Sequence, residues 1–141
     1  MTGVWALLGA VAVVAAIGLV LRARNGRVRA ARPRGALPAP VRDLLDPDAP
    51  VTLVQVSTAF CATCRQTRSL LADLAARTDG LRHVELDVTD LPGVAADLGV
   101  LRAPTTLAFD RSGGELLRVG GVPRADTLIA ALRAHLPNPI G

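Results

Sequence analysis

Cys61 and Cys64 are the only cysteines in this 141-residue chain, set two residues apart in Ala59-Phe60-Cys61-Ala62-Thr63-Cys64-Arg65. At that spacing a thiolate on the first can attack a disulfide. The second, one helical turn on and on the same face, can then displace the mixed disulfide that forms. A β-branched run ends just before the pair and a helical pattern begins just after it, so the cysteines fall where a strand gives way to a helix. There the unpaired backbone N–H groups and the helix dipole favour a negative charge, which lowers a thiol pKa below the free value of about 8.5. Cys61, on the exposed turn, is the expected nucleophile, and Cys64 the expected resolving thiol.

Other uses of the pair are weaker. A loop closed between Cys61 and Cys64 restrains almost nothing in the unfolded chain, so it is no staple for the fold. A structural zinc site needs four ligands as a rule, and only His83 and His135 remain, one in a strand and one in a terminal helical turn. No metal site is expected. Two inert buried thiols remain an alternative, against which the helix N-terminal position speaks.

A strand must end before such a pair and a helix must start at it. Val51 to Ser57 (VTLVQVS) reads as a buried strand, and residues 65–77 place Leu70, Leu71, Leu74 and Ala75 at helical spacing. Residues 81–88 alternate as a strand, and residues 94–98 form a short helix opened by Pro92 and closed by Gly99. Residues 105–109 and 115–119 make a hairpin around the turn DRSGG. An amphipathic helix over 124–136, with Leu128, Ile129 and Leu132 on one face, closes the chain. The order βαβαββα predicts an α/β domain with a mixed central sheet and helices on both faces. Aromatic residues are only 2% of the chain, so the core is expected to be aliphatic, with Phe60 and Phe109 as its rings.

The N-terminal part has a different character. Val4 to Leu21 is almost wholly apolar and uncharged. Eighteen helical residues span about 27 Å, near the ~30 Å of a hydrocarbon core. Trp5 suits an interfacial anchor, and the absence of positive charge before the run argues against a cleaved signal peptide. There is no Lys, and six of the sixteen arginines (Arg22, Arg24, Arg27, Arg29, Arg32 and Arg34) follow this segment directly. Residues 35–141 then carry ten Arg against twelve acids, a net of −2, so the overall charge of +4 belongs to the flank and gives no support to nucleic-acid binding. By the positive-inside rule the flank keeps the soluble part in the cytoplasm, with an extracytoplasmic domain as the alternative. Three segments are expected: a transmembrane helix over 1–21, an Arg- and Pro-rich juxtamembrane tether over 22–50, and a folded domain over 51–137. Within the tether, VRDLLD at 41–46 fits a short helical turn with Leu44 and Leu45 packing on the domain.

Across residues 51–136 the chain resembles thioredoxin, through TLVQVSTAFCATCRQTRSLL, HVELDVTDLPGVAADLGVLRAPTTLAFD and GELLRVGG followed by a closing helix. The resemblance implies a thioredoxin-like fold, with Cys61 attacking, Cys64 resolving and Pro104 as a cis-proline facing them. The Ala103 backbone would pair with an extended substrate strand, Phe60 would sit beside the substrate, and Gly120 and Gly121 would leave it room. The departures concern tuning. Ala62-Thr63 stands where thioredoxins usually have Gly-Pro, Phe60 stands for Trp, Gln55 for a buried acid that relays a proton to the resolving cysteine, and Glu85 for a Lys near that acid.

The expected function is thus thiol–disulfide exchange near a membrane, most simply reduction of protein disulfides. It needs no cofactor; its partners are protein disulfides and a dithiol electron donor. A redox-gated binding module without turnover and a thiol-delivery factor for cofactor maturation are the alternatives.

Overall fold

The computed structural model describes residues 1–31 and 35–137; Arg32, Pro33 and Arg34 of the basic flank lie outside the described residues. Helix α1, Thr2–Arg24, is long and apolar enough to cross a membrane, and none of its residues is buried against the rest of the chain. It contains the whole of the apolar run. Arg22 and Arg24 in its last turn face the negative end of the helix dipole.

The elements that follow are strand β1, Val28–Ala30, helix α2, Ala39–Arg42, strand β2, Val51–Ser57, and helix α3, Ala62–Arg77. Strand β3, Leu81–Asp87, helix α4, Pro92–Leu98, strands β4, Thr105–Phe109, and β5, Glu115–Gly120, and helix α5, Ala125–Leu132, complete the order, with a 3₁₀ turn at Arg133–His135. The sheet runs β1-β5-β4-β2-β3. Only β2 and β3 are parallel; the other pairings are antiparallel.

Strand β2 is buried along its whole length because its alternate residues face two separate cores. Val51 and Leu53 pack with Leu71 and Leu74 of α3 and Leu128 and Leu132 of α5. Val54 and Val56 pack on the other face with Val41 of α2 and Leu98 of α4. Nearly all of this core is aliphatic, and at about 25 cal/mol per Å² of apolar area its burial is the main source of stability. Gly99 adopts the left-handed backbone that closes α4, a conformation that strains any residue with a Cβ.

Three sequence expectations need correction. The 22–50 segment is not only a tether, since Val28–Ala30 adds an antiparallel edge strand to β5, with Val28 opposite Val119 and Ala30 opposite Leu117. A three-residue strand carrying an Arg has too little hydrophobic pattern to be read locally, and backbone pairing with a distant strand creates it. Helix α3 starts at Ala62 with Cys61 as its cap, as the placement of the pair at a helix N-terminus predicts. The last helix gives way to the 3₁₀ turn after Leu132. Phe109 is a core ring, but Phe60 is fully exposed and contributes nothing to the core.

Candidate redox site

The loop Thr58–Phe60 carries the chain from the end of β2 to Cys61. It is held by the Ala59 N–H donating to Thr89 Oγ1 at 2.9 Å, and the Val88 N–H donates to the Ser57 carbonyl at 2.9 Å. These two bonds tie the loops that follow the parallel strands β2 and β3. Cys61 is the N-cap of α3, with extended backbone, and its Sγ accepts from the Cys64 N–H at 3.1 Å. A sulfur fills the role an Asp or Ser oxygen usually plays at this position. Cys61 and Cys64 are joined in a disulfide with Cα atoms 5.2 Å apart. Cys64 is 2% exposed, whereas Cys61 is half-buried and reachable from solvent. No acid lies in the first turn of α3, so nothing there opposes a negative charge on sulfur. Thr63 adds its hydroxyl, 3.5 Å from Cys61 Sγ, and Ala62 is exposed.

Because β4 runs antiparallel to β2, Thr105 lies opposite Val56, and the Ala103–Pro104 segment therefore sits at the same sheet end as the cysteines. The Ala103–Pro104 bond is cis and Pro104 is buried. Its carbonyl accepts from the Gly121 N–H at 2.8 Å, so Gly121 joins this end too. The space above Gly121 is filled, however. A Cβ built there would lie 1.6 Å from Asn25 Oδ1, and one on Gly120 would lie 2.9 Å from the Arg102 guanidinium. The glycines make room for this chain's own connector and arginine. Phe60, next to Cys61 in the chain, and Leu101, 94% exposed and three residues before the cis-proline, leave apolar surface in the loops that carry the site.

Gln55 is completely buried beneath α3, and its Nε2 donates to the Cys64 carbonyl at 2.8 Å. Its Oε1 lies 3.1 Å from His83 Nε2. An amide oxygen can only accept, so Nε2 of His83 carries the proton. Burial lowers the His83 pKa, outweighing the carboxylate of Glu85, which raises it; Arg68 lowers it further. Glu85 is not part of this chain of bonds. It is held by the Arg68 guanidinium at 2.5 and 2.6 Å, which, with further help from Ser57 and His83, keeps its carboxyl below the ordinary value against a smaller effect of burial. Both ends of this pair are partly open to water, so its contribution to stability is small.

Sequence reasoning misses three participants. His83 reads from the sequence only as a metal ligand, although a register with Val51 opposite Leu81 puts Gln55 and His83 on one face of the parallel pair. Arg68 sits one helical turn after Cys64, on the side facing β3. Asn25 gives no local signal at all. Among the described residues no group of three or more His, Cys, Asp or Glu lies together.

A helix-capping cysteine pair beside a cis-proline, at one end of a mixed sheet with helices on both faces, defines a dithiol–disulfide protein. The thioredoxin family profile matches residues 42–134. Thioredoxin from Staphylococcus saprophyticus is 30% identical over 87 residues, covering 61% of this chain and 83% of its own. Thioredoxin from Chlamydia caviae is 27% identical over 85 residues, covering 60% and 82%. Among solved structures, a mutant thioredoxin from Halobacterium salinarum superimposes with a TM-score of 0.57 at 23% identity, over 64% of this chain and 79% of that one. Oxidised mitochondrial thioredoxin 3 from Saccharomyces cerevisiae gives 0.52 at 19% identity, over 61% and 79%, a likeness of fold alone. The chain belongs to the thioredoxin family, and its Cys61–Cys64 pair supports thiol–disulfide oxidoreductase activity in general.

Proposed function

We propose that the protein is a membrane-tethered reductase of protein disulfides, with residues 1–21 as the span, 22–50 as a connector that also supplies β1, and 51–137 as the thioredoxin-like domain. The observation that carries this reading is the contrast within the pair, an accessible Cys61 at the cap of α3 and a buried Cys64 whose N–H points at its sulfur.

In the reduced protein the same N–H and the α3 dipole hold Cys61 as a thiolate. The thiolate attacks one sulfur of a partner disulfide, a Cys61–partner bond forms, and the displaced partner sulfur leaves as a thiolate that takes up a proton. Cys64 then loses its proton and attacks Cys61 Sγ. The Cys61–Cys64 bond closes and the second partner sulfur leaves, so two electrons and two protons have passed to the partner. A dithiol protein returns the pair to its reduced form. Phe60 and Leu101 offer apolar contacts to the partner, and the Ala103 backbone pairs with its extended segment. Gly121 serves the site by accommodating Asn25, while Ala62 and Thr63 between the cysteines, and Gln55 and Glu85 outside them, tune the pair.

Turnover distinguishes an enzyme from a latch. The full chain in detergent, at one-hundredth of the concentration of an insulin-type disulfide substrate and with dithiothreitol as donor, is expected to reduce many equivalents; a single equivalent per chain would contradict the proposal. The basic flank supports a cytoplasmic domain. A reporter active only outside the cytoplasm, fused after Gly141, is expected to stay silent, and an active one would reverse the orientation.

A further inference from the structure

The connector between the span and the sheet contains only Asn25, Gly26 and Arg27. Four Cα steps separate Arg24 from Val28, at most about 15 Å fully extended. The connector is also pinned, since the Gly26 N–H donates to the Gly120 carbonyl at 2.8 Å and the Asn25 side chain covers Gly121. The sheet register then decides which end of the domain lies nearest the bilayer. Val28 pairs with Val119 at the end of β5, Gly120 pairs with Thr105 at the start of β4, and Thr105 pairs with Val56 at the end of β2. All of these lie at the sheet end that carries Cys61. From β1 to β2 is three strand steps, which at the usual strand spacing is about 14 Å. The far end of β2 is a whole strand length away, and its seven residues extend about 23 Å.

The same end carries the surface that suits this position. Phe60, next to Cys61 in the chain, and Leu101, three residues before the cis-proline, are exposed apolar side chains. An open crevice between the end of α1 and the start of α5 is lined by Arg22, Arg27 and Arg124 with Thr127, so guanidinium groups from both ends of the chain meet where anionic headgroups would lie.

We infer that the redox end of the sheet is held facing the bilayer, and that the partner of Cys61 is a disulfide in an integral membrane protein, carried close to the headgroups. This substrate class rests on the exchange activity proposed above; the placement of the site rests on the connector alone. A soluble protein would have to enter the layer between sheet and membrane, whereas a juxtamembrane disulfide is already in it. The span also confines both partners to one surface, which raises their effective concentration.

Two measurements on the full chain in phosphatidylcholine and phosphatidylglycerol vesicles test this. In the first, a fluorophore is attached to Cys61 in Cys64→Ala, or to Asp79→Cys at the opposite sheet end in a background with both native cysteines changed to Ala. A nitroxide lipid labelled at its headgroup is expected to quench the first and spare the second; equal quenching, or stronger quenching at position 79, overturns the placement whether or not the protein turns over. In the second, a single-span peptide carries a disulfide-linked fluorophore either two or fifteen residues beyond its apolar segment. The wild-type chain is expected to release the near fluorophore about tenfold faster. Inserting twenty Gly and Ser residues between Arg24 and Asn25, a linker of about 25 Å mean span, is expected to bring the ratio toward one while leaving reduction of a soluble peptide unchanged. A ratio near one in the unmodified chain overturns the substrate class. If the soluble peptide is not reduced either, the failure lies with the exchange activity, and the quenching result still decides the placement.

Discussion

Replacing Gln55 by Leu puts an apolar side chain of similar volume under α3 and removes two hydrogen bonds, those to the Cys64 carbonyl and to His83 Nε2. An orphaned buried polar group costs about 1–3 kcal/mol. The Cys64 carbonyl keeps its partner within the α3 ladder and His83 is only half-buried, so both losses belong at the low end. The sum is about 2 kcal/mol, or about a 30-fold rise in the unfolding constant. Urea unfolding at pH 7.5 measures it, with the slope in denaturant expected to stay constant. Gln55→Glu is the informative companion. A carboxyl in this fully buried position has its pKa raised, so its protonated form can donate to the Cys64 carbonyl as the amide does. A folded pKa above the unfolded one contributes stability that is present at low pH and lost as pH rises through the folded value. Gln55→Glu should therefore be near wild type at pH 5 and fall behind it toward pH 8. It should also speed release of a peptide from its mixed disulfide with Cys61, because a group that exchanges protons would stand beside the resolving cysteine. A Leu variant whose stability matches wild type to within about 0.5 kcal/mol, below the cost of any orphaned buried group, would refute this account of Gln55. So would a Glu variant that resolves no faster at any pH.

Three further perturbations have defined outcomes. The side chains of Arg118 and Glu115 are 8% and 7% exposed, and Arg118 Nη2 donates to the Leu98 carbonyl at the end of α4 at 3.1 Å. Arg118→Leu should cost about 3 kcal/mol in urea unfolding, since one partner of a buried ion pair is removed. Thr106 lies opposite Gln55, fully buried with an unpartnered hydroxyl, so Thr106→Val should raise the melting temperature, and a lower one would show that the hydroxyl has a use. Burial lowers the His83 pKa and Arg68 lowers that of Glu85, so the unfolded chain binds more protons than the folded one. Stability should fall as pH drops below about 6.5 through His83 and again below about 4.5 through Glu85, and His83→Gln should flatten only the first decline.

What the sequence made legible was local. The cysteine pair, the strand before it and the helix after it announce themselves through residue type and period, as does the hairpin around DRSGG, where Asp110 Oδ1 accepts from the Ser112 and Gly114 N–H groups at 2.9 and 2.8 Å. The apolar N-terminal helix needed only length and composition. What stayed hidden depends on register. Val28–Ala30 becomes a strand only because β5 offers a free edge, and Asn25 meets Gly121 only once that pairing forms. The Gln55–His83 contact lies on a diagonal of the parallel pair, since Gln55 is directly opposite Glu85. Residue identity pointed instead to Glu85, which the structure gives to Arg68. The start of α3 at the pair was legible, but the cap itself, a cysteine sulfur that accepts the Cys64 N–H, was not.

The division of labour between the two sulfurs is the core of the proposed mechanism, and trapping tests it most directly. Purified, reduced Cys64→Ser and Cys61→Ser are each mixed with a peptide disulfide, quenched in acid and weighed as intact protein. The accessible, helix-capping thiol should give a long-lived mixed disulfide in Cys64→Ser, while Cys61→Ser, left with a thiol that is 2% exposed, should give almost none. Equal trapping by the two variants, or more by Cys61→Ser, would contradict the assignment of attack to Cys61 and resolution to Cys64.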